Sequence, residues 1–332
     1  MAVAKVILKT NPHRPVDFKE SSVLKALESS GNLNLEIKED GCQLNMVVTY
    51  GAEATEVNFL SREGKAFNGL QAFADALTGD PRWGKFFNPH LDAGLFRENG
   101  GFLLQAEIIT FDENGVQKPC AEIAGDLRRM EPIPHDRMEI IAFDLIPLDA
   151  VLSGKDYEVF QELRYMHTGI QVEALKSRFP EIEWSRVVST AVFSLAQLME
   201  TYETFRILKK EGGVAKDPLG YLKRGKKTGQ WKIKPDDECD GVVVRPMWGT
   251  PGLSFEGMVI GFTVLTEHDV EVDAGGLTDD LKIKYTALVC KNPEHFKGHA
   301  CKITYMERLP SGSYRHPNFD SFRGITDPLI KE

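Results

Sequence analysis

The sequence has little of what marks secreted, disulfide-rich or membrane-spanning proteins. Its five cysteines are odd in number and widely spread: Cys42, Cys120, Cys239, Cys290 and Cys301. None forms a C-x-x-C pair and the eight histidines show no ligand spacing, which argues against a disulfide framework and a cysteine zinc site. The longest apolar runs are strand-sized, far short of the roughly 20 residues of a membrane span. The N-terminus is too short and too charged for a secretory signal, so we expect a cytoplasmic protein without membrane contact.

The chain has 332 residues, of which 42% are apolar and 27% are charged. This composition is typical of a soluble globular protein, and the length favours two domains. A net charge of −9 speaks against a nucleic-acid partner when taken over the whole chain. One segment, residues 222–234, carries six basic side chains and no acid: Lys223, Arg224, Lys226, Lys227, Lys232 and Lys234. It predicts either local phosphate binding or a solvated charged loop, and its charge alone favours neither.

Residues 33–48 hold the most informative local pattern. Apolar residues at 33, 35 and 37 alternate with polar ones, which predicts a strand with Glu36 and Lys38 on one face. Asp40-Gly41 is a turn dipeptide, because glycine accepts a positive φ without a side-chain clash. A second apolar alternation follows the turn. The simplest interpretation is a hairpin with charges facing water, and the alternative is an acid and a lysine side by side at the rim of a site.

Helical and strand-like patterns occur both before residue 33 and after residue 48. A first helix can be capped by Ser21 or Ser22 and is stopped by Gly31. Helical spacing returns over residues 157–179, with a break near Gly169, and over residues 195–210. Strands are predicted at 57–61, 102–111, 140–148, 187–193, 211–216 and 230–235.

The composition shifts at Pro235-Asp-Asp-Glu, which we interpret as a domain boundary. Beyond it, roughly five short strands and one helix within residues 277–290 suit a small Greek-key barrel of the OB type. We therefore expect an α+β protein. Residues 1–236 would form a first domain of antiparallel sheets flanked by helices, and residues 237–332 would form an OB-fold β-barrel.

Seven charged residues lie on predicted strands and fit one chemistry when taken together: Glu36, Lys38, Arg62, Glu107, Glu211, Lys232 and Lys234. Each alone is most simply an exposed strand charge. A lysine that attacks an α-phosphate must lose its proton, and metal ions must neutralise the pyrophosphate that leaves. Carboxylates such as Glu107 and Glu211 can hold Mg²⁺. Lys232 and Lys234 can clamp phosphate oxygens, and Phe143 could stack on a base.

The segment Lys38-Glu-Asp40-Gly41 resembles the K-x-D-G nucleophile motif of the covalent nucleotidyltransferases: DNA ligases, RNA ligases and mRNA capping enzymes. Later motifs of the superfamily follow in order around Arg62, Glu107, Phe143, Glu211 and Trp231-Lys232-Ile-Lys234. The resemblance extends to the short ATP-dependent DNA ligases of T-seven-type bacteriophages. It is carried by Phe-Pro-Glu-Ile-Glu-Trp at 179–184, Tyr-Leu-Lys-Arg-Gly-Lys-Lys-Thr-Gly at 221–229 and Glu-Gly-Met-Val-Ile-Gly-Phe at 256–262. Six ordered motifs do not arise by chance as one short motif does.

The resemblance implies a nucleotidyltransferase domain and a role for each matching residue. Lys38 would form a lysyl–AMP phosphoramide. Glu36 would bind the adenine amino group, Phe143 would stack on the adenine, and Ile37 would also belong to the nucleotide site. Arg62, Lys232 and Lys234 would bind phosphate, and Glu107 would contact the ribose or a metal. Glu211 would hold the catalytic metal.

The same resemblance implies ATP and Mg²⁺ as cofactors and nicked double-stranded DNA as the partner of a monomeric enzyme in the host cytoplasm. The DNA contacts would come from basic residues of both domains: Lys223, Arg224, Lys226, Lys227, Arg315 and Arg323.

One position departs from the superfamily pattern, which usually continues K-x-D-G-x-R. Gln43 stands where that arginine is expected, and a neutral donor makes weaker hydrogen bonds than a charged one. Two alternatives therefore stay open at this point. The chain could be an RNA ligase or capping-type nucleotidyltransferase, or it could be a nick- or end-binding protein with impaired chemistry.

Overall fold

The strands and helices of this computed structural model gather into two units, Met1–Ile233 and Lys234–Glu332. The structure describes residues 6–86, 96–208, 210–234, 237–308 and 312–323. Two expectations above involve residues outside these ranges: the five N-terminal residues, in the argument against a secretory signal, and Pro235, at the expected domain boundary. The helices are α1 (Glu20–Ser30), α2 (Gln71–Leu77), α3 (Cys120–Arg128), α4 (Leu148–Ser153), α5 (Gln161–Arg178), α6 (Leu195–Ile207) and α7 (Asp279–Lys291).

The strands of the first unit are β1 (His13–Asp17), β2 (Leu33–Lys38), β3 (Cys42–Tyr50), β4 (Thr55–Leu60), β5 (Gly101–Thr110), β6 (Met138–Pro147), β7 (Glu183–Arg186), β8 (Ser189–Val192), β9 (Gly212–Lys216) and β10 (Gly225–Ile233). Those of the second unit are β11 (Asp237–Trp248), β12 (Val259–Thr266), β13 (Glu271–Ala274), β14 (Ala300–Tyr305), β15 (Glu307–Arg308), β16 (Tyr314–Arg315) and β17 (Asn318–Phe322). The α+β class expected from the sequence is confirmed.

The first unit contains two five-stranded sheets. One has the strand order β1-β10-β9-β2-β8, and the other has the order β4-β3-β5-β6-β7. In the first sheet, Leu33 and Leu35 of β2 are fully buried in a core shared with α1 and α6. In the second, Leu44 and Met46 of β3 belong to the largest core cluster, to which α2, α3 and α5 contribute apolar side chains. Each sheet therefore buries an apolar face against its own helices.

The predicted hairpin at residues 33–48 is wrong, because its two strands belong to different sheets. β2 pairs with β8 and β9, whereas β3 pairs with β4 and β5. The turn at residues 39–41 therefore carries the chain from one sheet to the other. The same crossing occurs after β7, a strand that the sequence did not predict, and the strand predicted at 187–193 is β8 of the first sheet. Apolar alternation continues across such crossings, and the sequence gives no sign of them.

Two details of the predicted helices are also wrong. The first helix begins at Glu20 with Lys19 at its N-cap position, and the Ser22 hydroxyl instead accepts a hydrogen bond from Trp231 Nε1 at 3.1 Å. The predicted stop is correct, since Gly31 has φ +81° and its N–H bonds Leu27 O. Helix α5 runs unbroken through Gly169. A Cβ there would lie 2.9 Å from Arg186 Cζ, so this glycine makes room for a packed guanidinium and does not end the helix.

The second unit is a five-stranded antiparallel sheet of order β13-β12-β11-β14-β17, accompanied by α7. The barrel expected from the sequence does not close within the described part of the chain. The two edge strands approach each other through one isolated bridge, where Phe319 N donates to Gly275 O at 2.8 Å. Across all described residues, α-helices long and apolar enough to cross a membrane are absent.

Candidate active site

Lys38 ends β2 at the crossing between the two sheets of the first unit. Its Cα is paired with Gly212 of β9, so Glu211 arrives directly beside it. The Lys38 ammonium forms an ion pair with Glu211 Oε2. The Glu211 side chain is only 7% exposed, whereas 28% of the Lys38 side chain remains accessible. The nucleophile predicted from the sequence is thus held by a buried carboxylate and still reaches solvent.

Glu107 enters the same place from β5 of the second sheet. Gly41 allows this approach, because a Cβ there would collide with Ile108 O and would lie 2.9 Å from Glu107 Cγ. Although the residue keeps some exposure, burial raises the pKa of the Glu107 carboxyl to about 8, with the nearby Glu211 charge adding to the rise and Lys38 opposing it. Burial leaves the charged form of this carboxyl poorly solvated, and the Lys38 charge does not compensate for that loss.

The carboxylates around Lys38 fit a divalent cation. Besides Glu107 and Glu211, the charges of Asp40 and Glu39 also raise the Glu107 pKa. Glu39 is engaged by Lys210, whose ammonium lies 2.8 Å from Glu39 Oε2. Hard oxygen donors with surplus negative charge are what Mg²⁺ prefers, and it uses few protein carboxylates. Glu107 and Glu211 are therefore suitable ligands for such an ion.

Glu36, the predicted base reader, lies in a buried polar network. Its Oε2 is 2.6 Å from Lys216 Nζ, and both side chains are 3% exposed. Its Oε1 accepts a hydrogen bond from Gln161 Nε2 at 3.3 Å. Burial raises the pKa of Glu36, and the Lys216 charge opposes this rise. The sequence did not single out Lys216 or Gln161 as site residues, because nothing in a lone lysine or glutamine marks it as buried.

Phe143 is connected to this network through Lys216. The Lys216 ammonium donates to Phe143 O at 3.2 Å and lies 5.3 Å from the centre of the Phe143 ring. Next to Phe143, Asp144 forms a buried ion pair with Arg164 of α5, at 2.9 Å between Oδ1 and Nε. Asp144 is the one acid in the apolar run predicted as a strand at 140–148. Nothing in the sequence indicated Arg164 as its partner, since arginines on helices are usually exposed.

Two other predicted phosphate binders, Arg62 and Lys232, form ion pairs within the protein. Arg62 follows β4 with its side chain 52% exposed and pairs with Glu63. Lys232 pairs with Asp17 of β1 at 2.8 Å. Hydrogen bonds from Lys226 and then Lys232 lower the pKa of Asp17 to about 2.

Lys234 does not share a strand face with Lys232 as predicted. Strand β10 ends at Ile233, and Lys234 opens the second unit, where its ammonium lies 3.6 Å from Met306 Sδ.

The predicted DNA-binding residues of the first unit divide into two kinds. Lys226 and Lys227 are exposed on β10, and Lys223 is half-buried with its ammonium on Thr228 O. The Arg224 guanidinium instead donates to three main-chain carbonyls, those of Lys155, Thr10 and Ala150, and burial lowers its pKa. Arg224 thus ties loops together, and its charge is not presented to a ligand.

In the second unit, Arg323 is exposed and bonds Asp240 at 2.9 Å, and Arg315 is half-buried on β16. This unit also brings Cys239, Glu267 and His268 within 4.8 Å of one another, a grouping that sequence spacing did not indicate. Tyr314 OH lies 2.7 Å from His268 Nδ1, and Asp240 N donates to Glu267 Oε1. These hydrogen bonds hold the turn between β12 and β13 in place, and we interpret the grouping as structural.

Comparison with known proteins gives one consistent family. The model of the ATP dependent DNA ligase domain matches residues 17–234, and that of the DNA ligase C-terminal domain matches residues 235–293. The DNA ligase of Enterobacteria phage T3 is 36% identical over 344 residues, covering 97% of this chain and 98% of that protein. The DNA ligase of Escherichia phage T7 is 33% identical over 362 residues, covering 96% and 98%. The solved ATP-dependent DNA ligase of bacteriophage T7 in complex with ATP gives a TM-score of 0.63 at 34% identity, covering 95% of this chain and 99% of that one.

Proposed function

The chain belongs to the ATP-dependent DNA ligase family, and we propose that Lys38 is the residue that carries AMP while a nick is sealed. The observation that supports this assignment most directly is the Lys38–Glu211 ion pair at the crossing between two sheets, with Glu107 brought in from the second sheet. The family membership favours DNA ligation over the RNA ligase, capping and inactive-binder alternatives.

The first step needs a neutral lysine and an exit for its proton. Glu211 Oε2 is the acceptor already in contact with the Lys38 ammonium. Lys38 Nζ then attacks the α-phosphorus of ATP, the bond from that phosphorus to the bridging oxygen breaks, and pyrophosphate leaves with the electron pair. The product is a phosphoramide between Lys38 and AMP.

Glu107 and Glu211 would hold the Mg²⁺ that this family uses. When bound, the ion supplies positive charge for the phosphate oxygens and the leaving pyrophosphate. It would also favour the charged form of Glu107, whose pKa is otherwise raised to about 8. Lys232 would add a positive charge from β10 once a phosphate competes with Asp17 for it.

The buried network around Glu36 would orient the base. Lys216 occupies one carboxylate oxygen and fixes the side chain. The other oxygen accepts one hydrogen bond from Gln161, and its second lone pair would accept a hydrogen bond from the adenine amino group. The Phe143 ring, held through Lys216, would provide the stacking surface.

The substrate proposed for the later steps is nicked double-stranded DNA, bound by a monomer. AMP passes from Lys38 to the 5′-phosphate, and the 3′-hydroxyl then displaces AMP and closes the strand. Residues 1–236 would perform nucleotidyl transfer, and residues 237–332 would add grip on the duplex. Lys223, Lys226, Lys227 and Arg323 would supply phosphate contacts, which bind any sequence equally.

A sealing assay on singly nicked duplexes tests this proposal. Wild-type protein with ATP and Mg²⁺ should seal an all-DNA nick, and Lys38→Ala should not. Lys38→Ala should still close a nick that carries a preformed 5′-adenylate, because only the lysyl step is lost. Lys25→Ala, an exposed lysine on α1, is the matched control and should seal normally. Efficient sealing of RNA strands alone would overturn the DNA assignment.

A further inference from the structure

Two cysteines lie next to each other at the start of the strand that follows the Lys38 turn. Cys42 is the first residue of β3, and Cys120 is the first residue of α3. Their sulfur atoms are 3.9 Å apart, and Cys42 Sγ also lies 3.7 Å from Cys120 O. Both thiols are free, and both residues are half-buried.

We propose that Cys42 and Cys120 are an oxidation site that forms a disulfide with low-molecular-weight disulfides and thereby slows adenylation of Lys38. The sulfur atoms must approach by about 1.9 Å to reach the usual S–S length. Cys42 starts its strand and Cys120 starts its helix, so small rotations at χ1 and at the element ends can supply this movement.

The chemistry is two successive thiol–disulfide exchanges. Burial raises the pKa of the Cys42 thiol to about 12, so the Cys120 thiolate attacks first. It attacks a sulfur of the reagent RS–SR, the S–S bond of the reagent breaks, and RS⁻ leaves as a mixed disulfide forms on Cys120. The Cys42 thiol then gives its proton to RS⁻, attacks the Cys120 sulfur and expels the second RS⁻. The protein loses two hydrogens, and the reagent is reduced to two RSH.

The link to catalysis follows from the contacts of the turn. Gly41 is pressed against Ile108 and Glu107 so closely that a Cβ would collide, and Cys42 is the next residue. The segment that leads into α3 already touches the same turn, because Gln117 Nε2 donates to Asp40 O at 3.2 Å. A disulfide would join this segment to the turn at a second point. Because Lys38 is three residues before Gly41, tension at Cys42 displaces the nucleophile relative to Glu107.

The other cysteines provide controls. Cys290 is exposed on α7 of the other unit, whereas Cys239 and Cys301 are buried. Cys290 therefore reports simple reactivity with the reagent. It should form a mixed disulfide without affecting the turn.

The test is oxidation of the full chain with glutathione disulfide, followed by thiol counting and peptide mapping. Of the five cysteine thiols, those of Cys42 and Cys120 should disappear together, and a cross-linked Cys42–Cys120 peptide should appear. The rate of AMP labelling with α-labelled ATP and Mg²⁺ should fall by roughly 10- to 100-fold, as for small misplacements of a reacting group, and dithiothreitol should restore it. Cys42→Ser and Cys120→Ser should each abolish both effects, and Cys290→Ser should leave them unchanged.

Three results would overturn the proposal: glutathione adducts without a cross-link, a cross-link with an unchanged labelling rate, or equal loss of labelling in Cys120→Ser. The effect on labelling rests on the proposed role of Lys38. If fully reduced wild-type protein takes up no AMP, that role fails, whereas cross-link mapping still decides whether the disulfide forms.

Discussion

Replacing Glu107 with glutamine should stabilise the protein at high pH and leave its stability almost unchanged at low pH. The carboxyl has its pKa raised from 4.5 to about 8, mainly by burial. Below pH 4.5 it is protonated in the folded and unfolded chains alike. Between 4.5 and 8 the unfolded chain gives up the proton and the folded chain keeps it, so stability falls as pH rises. Above pH 8 the full cost of the buried charge is present.

The magnitude follows from the size of this rise. At about 1.4 kcal/mol for each pH unit, an increase from 4.5 to about 8 corresponds to roughly 4–5 kcal/mol as an upper limit. Part of the Glu107 side chain reaches water, which screens the charge, so we expect about 2–3 kcal/mol. Neutral glutamine has nearly the same shape and avoids this cost at every pH.

The assay is urea unfolding of wild type and Glu107→Gln in EDTA, from pH 5 to pH 9. The difference in unfolding free energy should grow with pH and level off above pH 8. Adding Mg²⁺ at pH 9 should stabilise wild type more than the variant, because an ion that binds the folded state raises its stability. Glu56→Gln, on the exposed surface of β4, is the control for removal of one carboxylate. A difference that is constant with pH, or that shrinks as pH rises, would show that the Glu107 pKa is not raised in the folded protein.

Further predictions concern the residues around the same site. Lys216→Met should destabilise the chain by roughly 3–5 kcal/mol, since it leaves the Glu36 charge buried and unpaired. Unfolding of the double variant Glu36→Gln/Lys216→Met checks the cause, because it should recover much of the loss. Gly41→Ala should reduce the rate of AMP labelling by roughly 100-fold, because its Cβ meets the strand that carries Glu107; wild-type rates would contradict the close contact. Gln43→Arg, opposite Glu107 in the sheet, should tighten binding to nicked DNA at low salt and steepen the salt dependence by about one phosphate contact. Equal salt slopes would show that position 43 does not face the DNA.

The period-two pattern of apolar residues predicted the positions of strands well, but it did not predict which strands pair with each other. The pattern at 102–111 predicted β5 to within one residue at each end, because alternating apolar residues before an Asn-Gly turn leave few alternatives. The residues on either side of Gly41 read equally well as a hairpin, and only the three-dimensional pairing shows β2 and β3 in separate sheets. Pairing between strands distant in sequence is set by the packing of whole sheets, which local pattern does not report.

The candidate site shows the same division. The motif resemblance pointed to Lys38, Glu107 and Glu211, and the structure places these three together. The resemblance gave no role to Lys216, which ends the motif that begins at Glu211, or to Gln161, because both act through their burial against Glu36. Polar side chains can be buried when they form hydrogen bonds or ion pairs with a partner. For Gln161 and Lys216 that partner is Glu36, which is far away in the sequence. Lys234 shows the opposite error. Its spacing of two residues from Lys232 predicted one shared strand face, but the strand ends at Ile233, between the two lysines.

Covalent attachment of AMP to Lys38 can be detected by mapping the labelled bond. Wild-type protein is incubated with α-labelled ATP and Mg²⁺, denatured, digested and analysed by mass spectrometry. We expect one labelled peptide with AMP on Lys38, release of label by pyrophosphate before denaturation, and no label in Lys38→Ala. AMP on another residue, or label that persists in Lys38→Ala, would contradict it.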